Sequence, residues 1–193
     1  MTTVYLVRHA EAEGNTYRRI HGQYNSLITQ NGLRQIEALR ARFEPIHIDA
    51  CFASDLFRTC KTAQSVYLAK HLPLHPEKRF RELEIGRWED TPFGYLERFE
   101  KQDMDKFNFD ERNWHVDGSE TWEEDRFLGG LNEICAAQEG KTIAVFSHAC
   151  VLRSMQKKLL KTDELPFCEN TAVSRLRWED GAVTFELLND ASH

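Results

Sequence analysis

Two short apolar runs that end on a histidine constrain the fold more than any other feature of the chain. Thr3–Val7 is aliphatic, aromatic and β-branched and stops at Arg8-His9, and Thr142–Phe146 has the same character and stops at Ser147-His148. Such runs read as buried strands. In an α/β protein, ligands bind at the carboxyl ends of strands. The turn after the first run, Ala10 to Asn15, is small and polar and ends in Gly14-Asn15. An arginine beside a histidine at that place suggests an anion site with a nucleophile or base in it. A solvated Arg-His pair at a strand end is the alternative.

Between these runs the chain alternates strand and helix patterns. A polar loop over 17–26 leads to Thr29, which can cap a helix over about 30–43 with Leu33, Ile36, Leu39 and Phe43 on its apolar side; Pro45 ends it. Ala50–Ala53 reads as a short strand, and Ser54-Asp55 as the cap of a helix through about Lys70, with Leu56, Ala63, Val66 and Tyr67 inward and Arg58 in its first turn. Pro73 and Pro76 allow at most a short edge strand. Ser119 or Thr121 can cap a helix ending near Gly140, with Glu124 closing a capping box from Thr121, and another helix covers about 150–160. Thr171–Trp178 and Ala182–Leu188, joined through Asp180-Gly181, read as a hairpin. The expected fold class is therefore α/β: a three-layer α/β/α sandwich with a mixed, mostly parallel sheet. It would bring Arg8-His9, Arg58 and His148 to one edge of that sheet.

The 193 residues suit one domain, 1–193. Residues 84–126 carry 14 acidic side chains against 6 basic ones, a net of -8 where the whole chain has -6. The same stretch concentrates aromatics, so about 86–140 reads as a helical insertion over the active site whose aromatic residues form its own core. No apolar run nears the roughly 18 residues of a membrane helix, and no leader pattern precedes the first strand, so the expected location is cytoplasmic, without membrane association. An acidic balance disfavours nucleic acid as a partner. Five scattered cysteines without a C-x-x-C pair argue against a disulfide framework and a zinc ribbon.

Two arginines with two histidines suit a phosphate dianion, because guanidinium forks match phosphate oxygens and keep their charge. A neutral histidine nitrogen can attack phosphorus and split one displacement into two. A metal held by His9 and His148 fits less well, since the flanking arginines would repel it; no metal and no cofactor are expected.

Five stretches in order resemble the motifs of the histidine phosphatase superfamily, also called the phosphoglycerate mutase-like family. They are LVRHAEAEGN from Leu6, SLITQNGLRQ from Ser26, SDLFRTCKTA from Ser54, RELEIGRWED from Arg81 and FSHA from Phe146. Departures are Ala10 and Ala149 for glycines after the histidines, Ala12 for a hydroxyl residue, Leu27 for a proline and Asp90 for a glycine. The alanines add one methyl each, which is tolerated where φ is negative.

The resemblance implies catalytic roles for five residues. His9 would be the nucleophile and become phosphohistidine, with Arg8, Arg58 and His148 holding phosphoryl oxygens. Glu82 would be the acid–base carboxylate, with Glu84 as the alternative. Asn15, His21, Gly22, Gln23 and Ala149 would contact substrate. Two nearby arginines should lower the pKa of His9. Trp88, Trp114 and His115 are candidates for lining the pocket. His47, His71 and His75 are expected at the surface, and Glu11 and Glu13 solvated or paired with loop arginines.

The implied function is a metal-independent phosphomonoesterase acting on a small phosphorylated metabolite. A cofactor-dependent phosphoglycerate mutase is the alternative enzyme; such mutases are longer after the acid motif and at the C-terminus. A non-catalytic module recognising phosphorylated protein is the alternative of another class.

Overall fold

Six strands form one sheet in the computed structural model, which describes residues 1–109 and 124–193. In chain order the elements are β1 (Thr2–Arg8), a single turn α1 (Glu13–Thr16), α2 (Gln30–Phe43), β2 (Ala50–Ala53), α3 (Phe57–Tyr67), β3 (Leu74–Pro76), α4 (Phe93–Phe99), α5 (Lys101–Phe109), α6 (Glu124–Ala137), β4 (Thr142–Ser147), α7 (Ala149–Leu160), β5 (Val173–Glu179) and β6 (Ala182–Asp190). The strand order is β3-β2-β4-β1-β5-β6. Strands β3, β2, β4 and β1 run parallel, and the β5–β6 hairpin adds two antiparallel strands beside β1.

Alternation along the central strands divides the interior into two layers. Val4 and Leu6 of β1 and Ile143 and Val145 of β4 face α6 and α7, where Phe127, Leu131, Leu152 and Met155 meet them. Tyr5 and Val7, with Ala144 and Phe146, face Leu39 and Phe43 of α2 and Ala63 and Val66 of α3. Both faces of β1 and β4 are thus covered, which is why their sequences read as continuous apolar runs. Each fully buried Leu, Ile or Phe contributes on the order of 2 kcal/mol. A third cluster joins Ile20, Leu83, Ile85, Trp88, Leu96 and Met104, with Phe93 packed against it. This is the core beneath α4 and α5, and it abuts the sheet edge that carries the site.

Turn chemistry explains several boundaries. Thr29 caps α2 by accepting the Gly32 N–H at 2.9 Å. Gly32 lies so close to the Glu11 carbonyl that an added Cβ would stand 2.1 Å from that oxygen. Asp180 and Gly181 both have positive φ, 49° and 84°, as a tight primed hairpin turn requires.

Some expectations change. Helix α3 begins at Phe57 with Leu56 as its N-cap and ends at Tyr67. Ser54 and Asp55 do not cap it, because Ser54 Oγ engages His148 and the Asp55 carboxylate is held by Arg81 at 2.6 Å through both oxygens. Helix α6 stops at Ala137, three residues short of Gly140. Leu33 is at helical spacing but exposed. Glu11 is bound at the start of α2, accepting from the Thr29 hydroxyl (2.6 Å) and the Asn31 amide (3.2 Å). Trp114, His115, Ser119 and Thr121 lie outside the described residues. Among the described residues, no helix is long and apolar enough to cross a membrane.

Candidate active site

The parallel register places three strand ends together. Arg8 pairs with Ser147 and Ala53 with Phe146, so Arg8-His9, Ser54-Asp55 and His148 leave the sheet at one edge. Arg58 enters from the first turn of α3. A cavity of about 220 Å³ opens there, lined among others by Arg8, His9, Asn15, His21, Gly22, Arg58, Glu82 and Ala149. Most of the expected site residues therefore meet in one place. Gln23 does not line it: its amide donates to the Glu82 carbonyl (3.3 Å) and accepts from Arg81 (3.0 Å). Trp88 is fully buried in the third cluster and donates to Glu100, and Glu84 is exposed.

His9 is held by its neighbours in one orientation. Its Nδ1 lies 2.7 Å from the Ala10 carbonyl, which can only accept, so the proton sits on Nδ1 and the Nε2 lone pair is free. The Ala10 N–H donates to Thr62 Oγ1 at 2.9 Å, and that hydroxyl donates to the Arg58 carbonyl at 2.6 Å. The His9 carbonyl accepts from the Asn170 amide at 3.0 Å. Burial is the largest cause of a His9 pKa well below the usual 6.5, with Arg58 and Arg8 adding to it. The arginines expected to set this value come second to desolvation. The ring is neutral at pH 7.

Three buried donors around it have no hydrogen-bond partner among the described residues: Nε of Arg8, Nε of Arg58 and Nδ1 of His148. Arg58 gives its other nitrogens to the carbonyls of Tyr24 (2.8 Å) and Gly22 (2.7 Å), and Arg8 gives Nη1 to that of Cys168 (2.6 Å). Both guanidiniums are thereby fixed, and the buried Nε of each is left unmet. Burial depresses Arg58 to about 10, so it stays charged at neutral pH. Leaving buried donors unmet is costly. An anion in the cavity would meet them.

The His148 ring lies beside that of His9, tilted 57° to it, with ring centroids 5.3 Å apart. Its Nε2 lies 2.9 Å from Ser54 Oγ, and the Ser54 oxygen also accepts the Leu56 N–H at 3.4 Å. Nε2 is the only acceptor that the buried Ser54 hydroxyl meets among the described residues, so the hydroxyl donates to it. Burial, then Arg58, keeps the His148 pKa well below 6.5, so the neutral ring carries its proton on Nδ1.

Asn15 is oriented in the same manner. Its Oδ1 accepts the Ala12 N–H (3.0 Å) and approaches the Asn170 amide (3.4 Å), leaving its own NH2 for the cavity. His21 stands 6.0 Å from His9 between ring centroids and meets the Ser26 hydroxyl at 2.9 Å. Burial and the two arginines bring its pKa to about 3. Gly14 is required by this ring, because a Cβ there would stand 2.0 Å from His21 Nε2. Gly22 has φ +49°, which aims its carbonyl at Arg58. Neither Ala10 nor Ala149 has a positive φ, so the extra methyls cost no backbone strain.

Glu82 faces His9 across the cavity. Its carboxylate accepts from the N–H groups of Cys150 (3.0 Å), Val151 (3.2 Å) and Leu83 (3.1 Å), so it caps α7 from outside the helix. The segment bearing it is clamped by Arg126 of α6, which donates to the carbonyls of Lys78, Arg79, Arg81 and Glu82, and by Ser147 on the Phe80 carbonyl. Arg19, Ile20, Ile85, Phe93 and Cys150 complete the lining. Arg19, Ile20, Phe93 and Cys150, and Arg126 and Asn170 as supports, carry no local sequence signal for the site, whereas Ser54, Thr62 and Ile85 lie within the stretches SDLFRTCKTA and RELEIGRWED. No cluster of metal-ligating side chains occurs among the described residues.

A doubly covered mixed sheet with two histidines, two arginines and a carboxylate at its carboxyl edge defines a phosphoryl-handling class. The chain matches the histidine phosphatase superfamily (branch 1) over residues 4–191 and belongs to it. It is 29% identical over its whole length to phosphoserine phosphatase 1 of Hydrogenobacter thermophilus, covering 94% of that protein, and 28% identical to the probable phosphoglycerate mutase GpmB of Proteus mirabilis, covering 95%. Among solved structures, Bacillus stearothermophilus YhfR superposes with a TM-score of 0.94 at 25% identity, covering 100% of this chain and 99% of that one.

Proposed function

We propose that this protein is a phosphomonoesterase that hydrolyses a small phosphorylated metabolite through a phosphohistidine on His9. The observation that carries this reading is the set of unmet donors of Arg8, Arg58 and His148 around a histidine whose Nε2 is free. They supply positive potential where three phosphoryl oxygens would lie, and they are already oriented before substrate arrives.

The chemistry follows in two displacements. Glu82 enters the first step as the carboxylic acid: Nε2 of His9 attacks phosphorus, the P–O bond to the leaving group breaks, and Glu82 gives that oxygen its proton and becomes the carboxylate. Water then attacks the phosphohistidine, Glu82 takes its proton back, and the P–N bond breaks to release phosphate and neutral His9. Arg8, Arg58, His148 and Asn15 hold the equatorial oxygens in both steps, and no other group is needed. A phosphoserine phosphatase among the relatives supports hydrolysis, while the probable mutase keeps phosphoryl transfer to a second substrate as the other reading. Against the mutase, a bisphosphate needs cations for a second dianion. Beyond Arg8 and Arg58, the described lining offers Arg19, which Asp90 already partly neutralises.

Release of para-nitrophenol from para-nitrophenyl phosphate in EDTA tests the reading, together with trapping of labelled phosphohistidine in wild type and in His9→Ala. Turnover with label lost in His9→Ala is expected. Absence of turnover from pH 4 to 9 would sink it, and dependence on added 2,3-bisphosphoglycerate would turn it into the mutase.

A further inference from the structure

We infer that Arg19 reads a carboxylate on the leaving group, so that the preferred substrates are phosphomonoesters of hydroxy acids; this rests on the phosphatase reading above. Arg19 lines the same cavity as His9, and its side chain is 38% exposed where Arg8 and Arg58 are buried. Its Nη1 is committed on one side: it pairs with Asp90 Oδ1 at 3.0 Å and also donates to the Asp90 carbonyl. The Nε–Nη2 edge has no partner among the described residues. That edge is a complete two-donor fork, the geometry that accepts both oxygens of a planar carboxylate.

The arginine is aimed by backbone as well as by charge. Asp90 has φ +59°, and three backbone hydrogen bonds tie its loop to residues 18–20: Asp90 N–H to the Ile20 carbonyl (2.8 Å), Ile20 N–H to that of Thr91 (3.0 Å) and Phe93 N–H to that of Arg18 (2.8 Å). Asp90 stands where a glycine is usual in the resembling motif, so the ion pair is a feature of this chain. The same lining includes the apolar side chains of Ile20, Ile85 and Phe93. A ligand filling this cavity thus meets the phosphoryl donors, hydrocarbon and one further guanidinium edge. Charge decides which second anion fits. Asp90 offsets the charge of Arg19, so the pair is neutral overall: its open Nε–Nη2 edge offers two donors to a planar carboxylate, while a second phosphate dianion would find no uncompensated cation there.

Two matched substrate pairs test this: O-phosphoserine against O-phosphoethanolamine, and 3-phosphoglycerate against glycerol 3-phosphate. Each pair differs at the carboxylate. In wild type the acid-bearing member is expected to have the higher kcat/KM in both pairs. Arg19→Met should raise KM for the acid-bearing members on the order of 10-fold, with kcat and the other members little changed. Arg19→Lys should restore part of the preference. Binding of the same four compounds to His9→Ala and to His9→Ala with Arg19→Met, by calorimetry, reads recognition without turnover. Equal use of both members by wild type, parallel losses for both in Arg19→Met, or preference for a bisphosphate overturns the inference and leaves the phosphatase reading standing. Failure of all four compounds to turn over, with carboxylate-dependent binding retained, sinks the phosphatase reading and leaves the carboxylate site.

Discussion

Ser54 Oγ lies 2.9 Å from Nε2 of His148, and both groups are buried. Because Nε2 is the only acceptor that the buried Ser54 hydroxyl meets among the described residues, its proton goes there, and the buried neutral imidazole keeps its own proton on Nδ1, the nitrogen without a partner. A side chain at the end of the neighbouring strand thus decides whether His148 can donate to an anion. Ser54→Ala should therefore lower kcat by about 10- to 100-fold, equivalent to roughly 1.4 to 2.8 kcal/mol of transition-state stabilisation, and cost about 1 to 3 kcal/mol of stability because the buried His148 Nε2 loses its partner. Nitrogen NMR of the His148 ring is the discriminating measurement. The Nδ1-protonated tautomer should dominate in wild type and give way to a mixture in the variant. An unchanged tautomer with unchanged kcat would remove Ser54 from the site's machinery.

Arg58 does two jobs at once, and its replacement should show both. Two of its nitrogens hold the Gly22 and Tyr24 carbonyls, and the third is unmet and buried. Arg58→Met should cut kcat by about 100-fold or more, the usual effect of losing a preorganised donor. It should also destabilise the fold by about 1 to 3 kcal/mol, because two carbonyls lose their donors. Arg58→Lys restores charge without the fork, so it should recover stability only in part and activity hardly at all. Denaturant titration beside steady-state kinetics separates the two effects.

What could be read from the chain and what could not divides along contact distance. Strands β1 and β4 were legible because both faces are buried, and Asp180-Gly181 because a primed turn needs two positive φ values. Arg8, His9, Arg58 and His148 were legible because each follows a strand end or opens a helix. Asn170 was not: it orients His9 and Asn15 from more than 150 residues away, and nothing local marks it. Ser54 was misread for a related reason. A serine after a strand and before a helix looks like an N-cap, and here a partner 94 residues distant takes its hydroxyl instead. Leu33 keeps the helical period but falls outside the strip of α2 that meets the sheet. Arg126 clamps the backbone before Glu82 from another helix, a contact for which sequence offers only an arginine in an acidic stretch.

Gly14 should tolerate no side chain. The Cβ of Gly14→Ala would stand 2.0 Å from Nε2 and 2.3 Å from Cδ2 of His21, so the ring must move away from the Ser26 hydroxyl and toward the cavity. Overpacking of this kind costs about 1 to 3 kcal/mol. Activity should fall with stability, since His21 borders His9. Shortening the ring in Gly14→Ala with His21→Ala relieves the clash and should return the stability. If the double variant is no more stable than Gly14→Ala, the collision is not the cause.

Acid should weaken the fold through its histidines before it protonates most carboxylates. His9, His21 and His148 all have folded-state pKa values below 6.5, His21 at about 3, with burial as the first cause in each. The unfolded chain takes up these protons near pH 6.5 and the folded protein does not. Stability is therefore full above pH 6.5 and falls as pH drops through the window below it, for His21 down to about 3. Each such histidine contributes a slope of at most about 1.4 kcal/mol per pH unit. Denaturant midpoints measured from pH 7.5 to 4.5 should decline steadily below 6.5, and His21→Gln should flatten the curve. Inorganic phosphate binds the folded state alone and supplies the negative charge that the arginines and His148 lack, so it should raise Tm with its concentration. Its effect should be lost in Arg58→Met. A pH-independent midpoint over that window would mean that the three rings are charged in the folded protein, and with that the free Nε2 of His9 would disappear.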